Sequence, residues 1–157
     1  MSDAFSVDVS EVLRLAQGSR AAATLVPQEL ARAMERSVVK VEADAKTLAP
    51  VDTGNLRRSI THDVAAQAGG AVGKVGTNVP YGRYVEEGTS AHWPPVSALA
   101  GWAARHGIEP FLVARAISRR GTKARPYLRP ALAKNLSAID AEFKQVAVRV
   151  LAKLGGR

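Results

Sequence analysis

The stretch Ser59–Thr77, SITHDVAAQAGGAVGKVGT, decides the fold. From Ser59 the pattern has a period of two, with Ile60, His62 and Val64 on one face, as in a half-buried strand. A Gly-rich link follows, and Val72, Lys74 and Val75 through Thr77 read as a returning strand weakened by its glycines. Residues 59–66 and 70–77 therefore predict an antiparallel hairpin. Two strands alone are marginal in water, so helices must cover one face.

Working outward, helical periodicity lies on both sides. Upstream, Leu30, Met34, Val38, Val41, Ala45 and Leu48 recur at steps of three and four. Pro27 suits the first position of that helix, with Gln28 and Glu29 beside its positive end, and Pro50 stops it. Before it, residues 1–24 form an N-terminal segment. There Val7, Val9, Val12, Leu13 and Leu15 fit a short helix or a paired segment, ended by Gly18 and Ser19. Asp52-Thr53-Gly54-Asn55 is turn chemistry, and Asp52 or Thr53 is placed to cap one helical turn through Leu56 and Arg58.

Downstream, Tyr81–Glu87 reads as a short helix stopped by Gly88. Pro94-Pro95 opens another, carrying Leu99, Trp102 and Ala103 and closed by His106-Gly107. Pro110 opens a third, with Phe111, Ala114 and Ile117 on one side and Gly121 as its stop. In the last helix Leu132, Leu136, Ile139, Phe143, Val146, Val150 and Leu154 alternate steps of four and three over about 25 residues, a rod of roughly 37 Å. Its near-heptad spacing calls for another long helix, and Pro27–Leu48 is the mate inside the chain. The predicted class is α+β: one domain, residues 1–157, with a small antiparallel sheet packed against two long helices and extra short helices.

Composition narrows the function. A chain of 157 residues buries about two thirds of its unfolded surface, enough for one core. Hydrophobic residues make up 46% and aromatics 5%, so Ala, Val and Leu build that core. Cysteine is absent, which excludes disulfides and thiolate metal sites and suits an intracellular origin. No secretory leader and no membrane-spanning run is read from the sequence. The net charge of +8 is uneven. Residues 1–108 hold eleven basic and eleven acidic residues, whereas 109–157 hold eleven basic and three acidic ones. Seven cations and no acid lie between Arg115 and Lys134. Such a block is either a solvated face or a surface for phosphate or an acidic partner.

Motifs for chemistry fare poorly. Asp52-Thr53-Gly54 has the letters of an aspartic protease loop, but that reaction needs two carboxylates sharing a proton, each after a buried strand. Here a helix precedes, and Asn55-Leu56-Arg57-Arg58 follows, with arginines that would hold the carboxylate ionised. Gly69–Val75 lacks the first glycine and the Ser/Thr of a phosphate loop. His62, His92 and His106 show no metal-ligand spacing, and His106 suits a helix end. No cofactor is predicted. Glu86-Glu87 is an acidic pair suited either to Arg125 or Arg129 in the same subunit or to a basic face on the next. Tyr81, Tyr84 and Trp93 concentrate around it, as interface anchors or as core. Arg119-Arg120-Gly121-Thr122-Lys123-Ala124-Arg125 is the densest basic segment. It suits phosphate contact and lacks any helix-turn-helix, zinc-finger or RNA-binding signature.

Three strings in order, Ala49–Ile60 (APVDTGNLRRSI), Pro80–Thr89 (PYGRYVEEGT) and Ala124–Leu132 (ARPYLRPAL), resemble the tail-component family of long-tailed bacteriophages, over roughly residues 25–155. The resemblance implies a non-enzymatic virion protein of the neck or tail end, concerned with tail completion or head–tail connection. It implies a homo-oligomeric ring, usually six-fold, between head-closure proteins and the tail terminator or tube. It further implies synthesis in the bacterial host cytoplasm and no membrane partner. Against that pattern, residues 91–120 look like a helical insertion. The subunit contacts it suggests are Tyr81, Tyr84, Glu86, Glu87, Arg125, Tyr127 and Arg129, some of them as struts within the subunit. Arg115, Arg119, Arg120 and Lys123 are expected to face DNA in the channel or an acidic partner. The alternative reading is a sequence-independent nucleic-acid-binding protein.

Overall fold

The computed structural model describes residues 9–17, 20–67 and 70–155. Seven helices and one hairpin are described: α1 (Ser10–Gln17), α2 (Arg20–Leu48), α3 (Asn55–Ser59), β1 (Ile60–Gln67), β2 (Gly70–Thr77), α4 (Gly82–Glu87), α5 (Val96–Arg105), α6 (Pro110–Arg120) and α7 (Leu128–Gly155). The class is α+β, as the sequence predicts. Val7, Gly18, Ser19 and the Ala68-Gly69 link lie outside the described residues.

The frame is α2 against α7, with α1 packed on α2 and touching α7. Val26, Leu30, Ala33, Val41 and Ala45 of α2 meet Ala131, Ile139, Phe143, Val146 and Val150 of α7 in one buried cluster. The helix α2 begins at Arg20, seven residues before the expected Pro27 start. Pro27 cannot donate to the Ala23 carbonyl and costs the helix about 3 kcal/mol. Burial of Ala22, Val26 and Leu30 offsets this, so the helix runs through the proline. Glu29 then lies mid-helix. Its buried carboxylate accepts from Lys153 at 2.7 Å and from Arg32 at 2.8 Å, which hold its pKa below the usual carboxylate range.

The α7 stripe is rotated slightly from the expected one. Leu136 is 41% exposed, and Asn135 is buried in its place. The Asn135 amide donates to Asp44 of α2 at 2.6 Å and to the Ala131 carbonyl at 2.9 Å, so both of its donors are satisfied. On α2, Leu48 likewise turns outward and Ala49 is buried instead.

The hairpin pairs Ile60 with Thr77 and His62 with Val75, through to Gln67 with Gly70. It packs on α2 at a point where only glycine fits. A Cβ at Gly73 would lie 2.4 Å from Val38 Cγ1 and 2.7 Å from Met34 Sδ. On the neighbouring strand His62 faces α2 between Glu42 and Glu35; its Nε2 is 3.0 Å from Glu35 and its Nδ1 contacts Glu42. Those two carboxylates, Glu42 above all, raise the imidazole pKa above its ordinary value. Lys46 and His62 together lower that of Glu42.

Candidate functional site: a junction of three motifs and a helical arm

The three strings, far apart in sequence, meet at the start of α7. The first turn of a helix leaves its N–H groups without partners. At α7 those donors are Tyr127, Leu128 and Arg129, and Pro130 has none to offer. Glu86, at the end of α4, takes all three. One carboxylate oxygen accepts from Tyr127 at 2.7 Å and Leu128 at 2.9 Å, the other from Arg129 at 3.0 Å. An anion there also complements the positive helix end. Tyr127 is fully buried and its hydroxyl donates to the Gly82 carbonyl at 3.4 Å. Burial, with Glu86 adding to it, pushes the phenol pKa up to about 12. Gly82 is required by packing, since a Cβ would lie 2.4 Å from Thr77 Cγ2 and 3.1 Å from the Tyr127 hydroxyl. Asn55 of the first string donates its amide to the Tyr81 hydroxyl at 3.2 Å, completing the link.

The expected contact residues therefore divide. Glu86 and Tyr127 are buried, and their side-chain hydrogen bonds are made within the chain, as struts. Tyr81, Tyr84, Glu87, Arg125 and Arg129 are exposed on the rim. Tyr84 is 58% exposed. Glu87 accepts from Arg83 at 2.9 Å and lies 3.8 Å from Arg129. Arg83, Tyr84, Glu87, Thr89 and His92 line a shallow groove of about 510 Å³.

Beyond Gly88 the chain leaves the body as an arm. Gly88 and Gly121 both have positive φ, 72° and 68°. Thr89 and Thr122 pair as an antiparallel bridge between them, with N–H to carbonyl distances of 3.1 and 3.2 Å. No side chain fits at Gly121, where a Cβ would lie 1.9 Å from the Thr89 carbonyl oxygen. Above this base, α5 and α6 pack together. The Glu109 side chain caps α6 by accepting from Phe111 N–H at 2.6 Å. Phe111 turns outward from the expected face with Ala114 and meets Trp93 edge-on at 5.7 Å. His106 stacks on Trp102 at 4.1 Å.

Asp52 pairs with this arm and not with a second carboxylate. It accepts from Arg105 Nε at 3.0 Å and contacts the second guanidinium nitrogen. Arg105 keeps its carboxyl below the usual range. Sequence reasoning missed this partner, as the nearby Arg57 and Arg58 mask an arginine at the far end of α5. Nor does Asp52 cap α3: the cap position is Gly54 in a left-handed conformation, and the Thr53 hydroxyl is 3.5 Å from the Asn55 N–H. Arg115, Arg119, Arg120 and Lys123 are exposed along α6 and the following segment. Among the described residues there is no cluster of side chains able to hold a metal ion, and no helix is long and apolar enough to cross a membrane.

The architecture defines a hairpin laid on one of two long paired helices, with a capped junction at its side. Residues 15–88 match the family model described as "Bacteriophage HK97-gp10, putative tail-component". That family is one of structural tail components of phages, which agrees with the resemblance carried by the first two strings. The match ends at Gly88, where the arm begins. No curated protein and no solved structure matches the chain.

Proposed function

We propose that the chain is a non-enzymatic structural subunit of the phage neck or tail end, forming a ring that joins head and tail. The observation that carries this reading is the junction. The three motif strings converge there, their most buried carboxylate and tyrosine are spent on holding α4 to α7, and the remaining side chains form an exposed rim. A catalytic site would instead keep its titratable groups open to a substrate. In a ring each subunit presents two different faces to its neighbours. Tyr81, Tyr84 and Glu87 make one face and Arg129 adjoins it. Tyrosines and arginines are the side chains that dominate such contacts. Six-fold symmetry and the neighbours, head-closure proteins on one side and tail terminator or tube on the other, rest on the family resemblance. The virion is the corresponding location.

Substitution of Tyr84 by Ala together with Glu87 by Ala tests the rim. The outcome this reading predicts is a chain that folds with unchanged thermal midpoint and fails to enter particles. Normal incorporation of the double variant would remove the rim from the contact.

A further inference from the structure

We propose that the outer face of α6 and the segment after it bind the phosphate backbone of double-stranded DNA without reading its sequence. Arg115, Arg119, Arg120, Lys123 and Arg125 are exposed, and among the described residues none of their side chains is in an ion pair. Arg115 and Arg119 are one turn apart on one side of α6, facing away from buried Ala114. The backbone beneath the others is anchored. Gly121 turns the chain out of the helix, the Thr89–Thr122 bridge fixes the next residue, and the Arg125 N–H donates to the Val85 carbonyl at 2.8 Å. Cations on a fixed backbone lose less freedom on binding than cations on a loose tail.

Two observations identify the partner. The first is that, among the described residues, a second copy of the chain has little unpaired negative charge to offer. Among the described side chains, every carboxylate except Asp63 already accepts from a cation, a histidine or backbone N–H groups. Asp63 alone does not balance five cations, so contacts made by the described side chains of a second copy leave the strip positive. The second is the make-up of the strip. Between Arg115 and Arg125 the exposed positions other than the cations are Thr122 and Ala124. The exposed Ile108, Phe111 and Leu112 lie at the opposite end of α6. Protein interfaces carry an apolar centre with charge at the rim. A strip of guanidinium, ammonium and hydroxyl groups is instead the make-up of phosphate contacts. Arginine, four of the five cations, grips phosphate through two parallel N–H bonds. Residues 110–125 contain no Asn or Gln to read adenine edges.

The test is fluorescence anisotropy with the full chain and two duplexes of unrelated sequence, each about 20 bp, at salt from about 50 to 200 mM. Both duplexes are expected to bind alike. If each of the five cations neutralises one phosphate, log K falls against log salt with a slope of about −4.5. A variant carrying Arg115→Ala, Arg119→Ala and Arg120→Ala, checked to unfold at the native midpoint, is expected to lose about 2.7 of that slope. Absence of binding at the lowest salt, or an unchanged slope in the variant, overturns the proposal. Displacement of the duplex by poly-glutamate at equal charge overturns it in favour of an acidic protein partner. Because the isolated chain is used, the result is separate from virion placement: a chain absent from particles that still binds duplex contradicts the proposed function and leaves this inference standing.

Discussion

At Glu86 a carboxylate closes a helix that starts forty-two residues later. Capping is usually local, a side chain bonding to an N–H two or three residues on. Here Pro126 and Tyr127 supply no such oxygen at the start of α7, and the cap comes from α4. That is why the Glu86-Glu87 pair stands out in the sequence while its division of labour does not: one carboxylate is buried under α7 and the other lies at the rim. Glu86→Ala would leave three donors at the start of α7 without their carboxylate, the Tyr127 N–H in a buried site and the other two part-buried. A loss of about 3 kcal/mol is expected, read as a lower urea midpoint with unchanged slope. Glu86→Gln keeps an acceptor and is expected to lose less. Gly82 makes the same point about packing. Its need for glycine comes from Thr77 and Tyr127 across the junction, so no turn rule reveals it. Gly82→Ala is expected to cost about 1–3 kcal/mol by overpacking, measurable in the same denaturation series.

Among the elements, the hairpin and both long helices are legible because their periodicities of two and 3.6 are sustained. The start of α2 is not legible. Pro27 signals a boundary locally, and only the burial of Ala22 and Val26 against the rest of the molecule overrides it. The contact between hairpin and α2 carries a pH dependence through His62. Its pKa is raised on folding, so its contribution is complete below the ordinary value of 6.5 and is lost as pH rises through the folded value. Glu42 is shifted down, so its contribution is present above 4.5 and is lost as pH falls through its folded value. The clasp is therefore firmest between those two values. The stability difference between the native chain and His62→Gln is expected to shrink as pH is raised from 6 towards 9. A constant difference across that range, by urea titration, would contradict the role assigned to His62. The arm is held at its base by the Thr89–Thr122 bridge and again by Asp52–Arg105. Asp52→Asn is expected to speed hydrogen exchange in α5 while leaving the α2–α7 core unchanged. Equal acceleration in the core would show that the pair supports the whole fold.

For the whole molecule, the sequence makes the convergence of its three strings visible only as order and spacing. The junction itself appears when α4, the Asn55 turn and the start of α7 are brought together. The family match covers the body up to Gly88 and stops where the arm departs. Residues 15–88 match the tail-component model, and α6 with the segment after it carries a run of exposed cations. Under the proposed function assembly falls to the junction rim, and under the further inference phosphate contact falls to α6 and the segment after it. Cryo-electron microscopy of intact particles is the most direct measurement of the central claim. The predicted result is a ring of this chain in the neck or tail end, with Tyr81, Tyr84 and Glu87 at the contact between neighbouring subunits. Particles whose neck and tail densities contain no copy of this fold would contradict it.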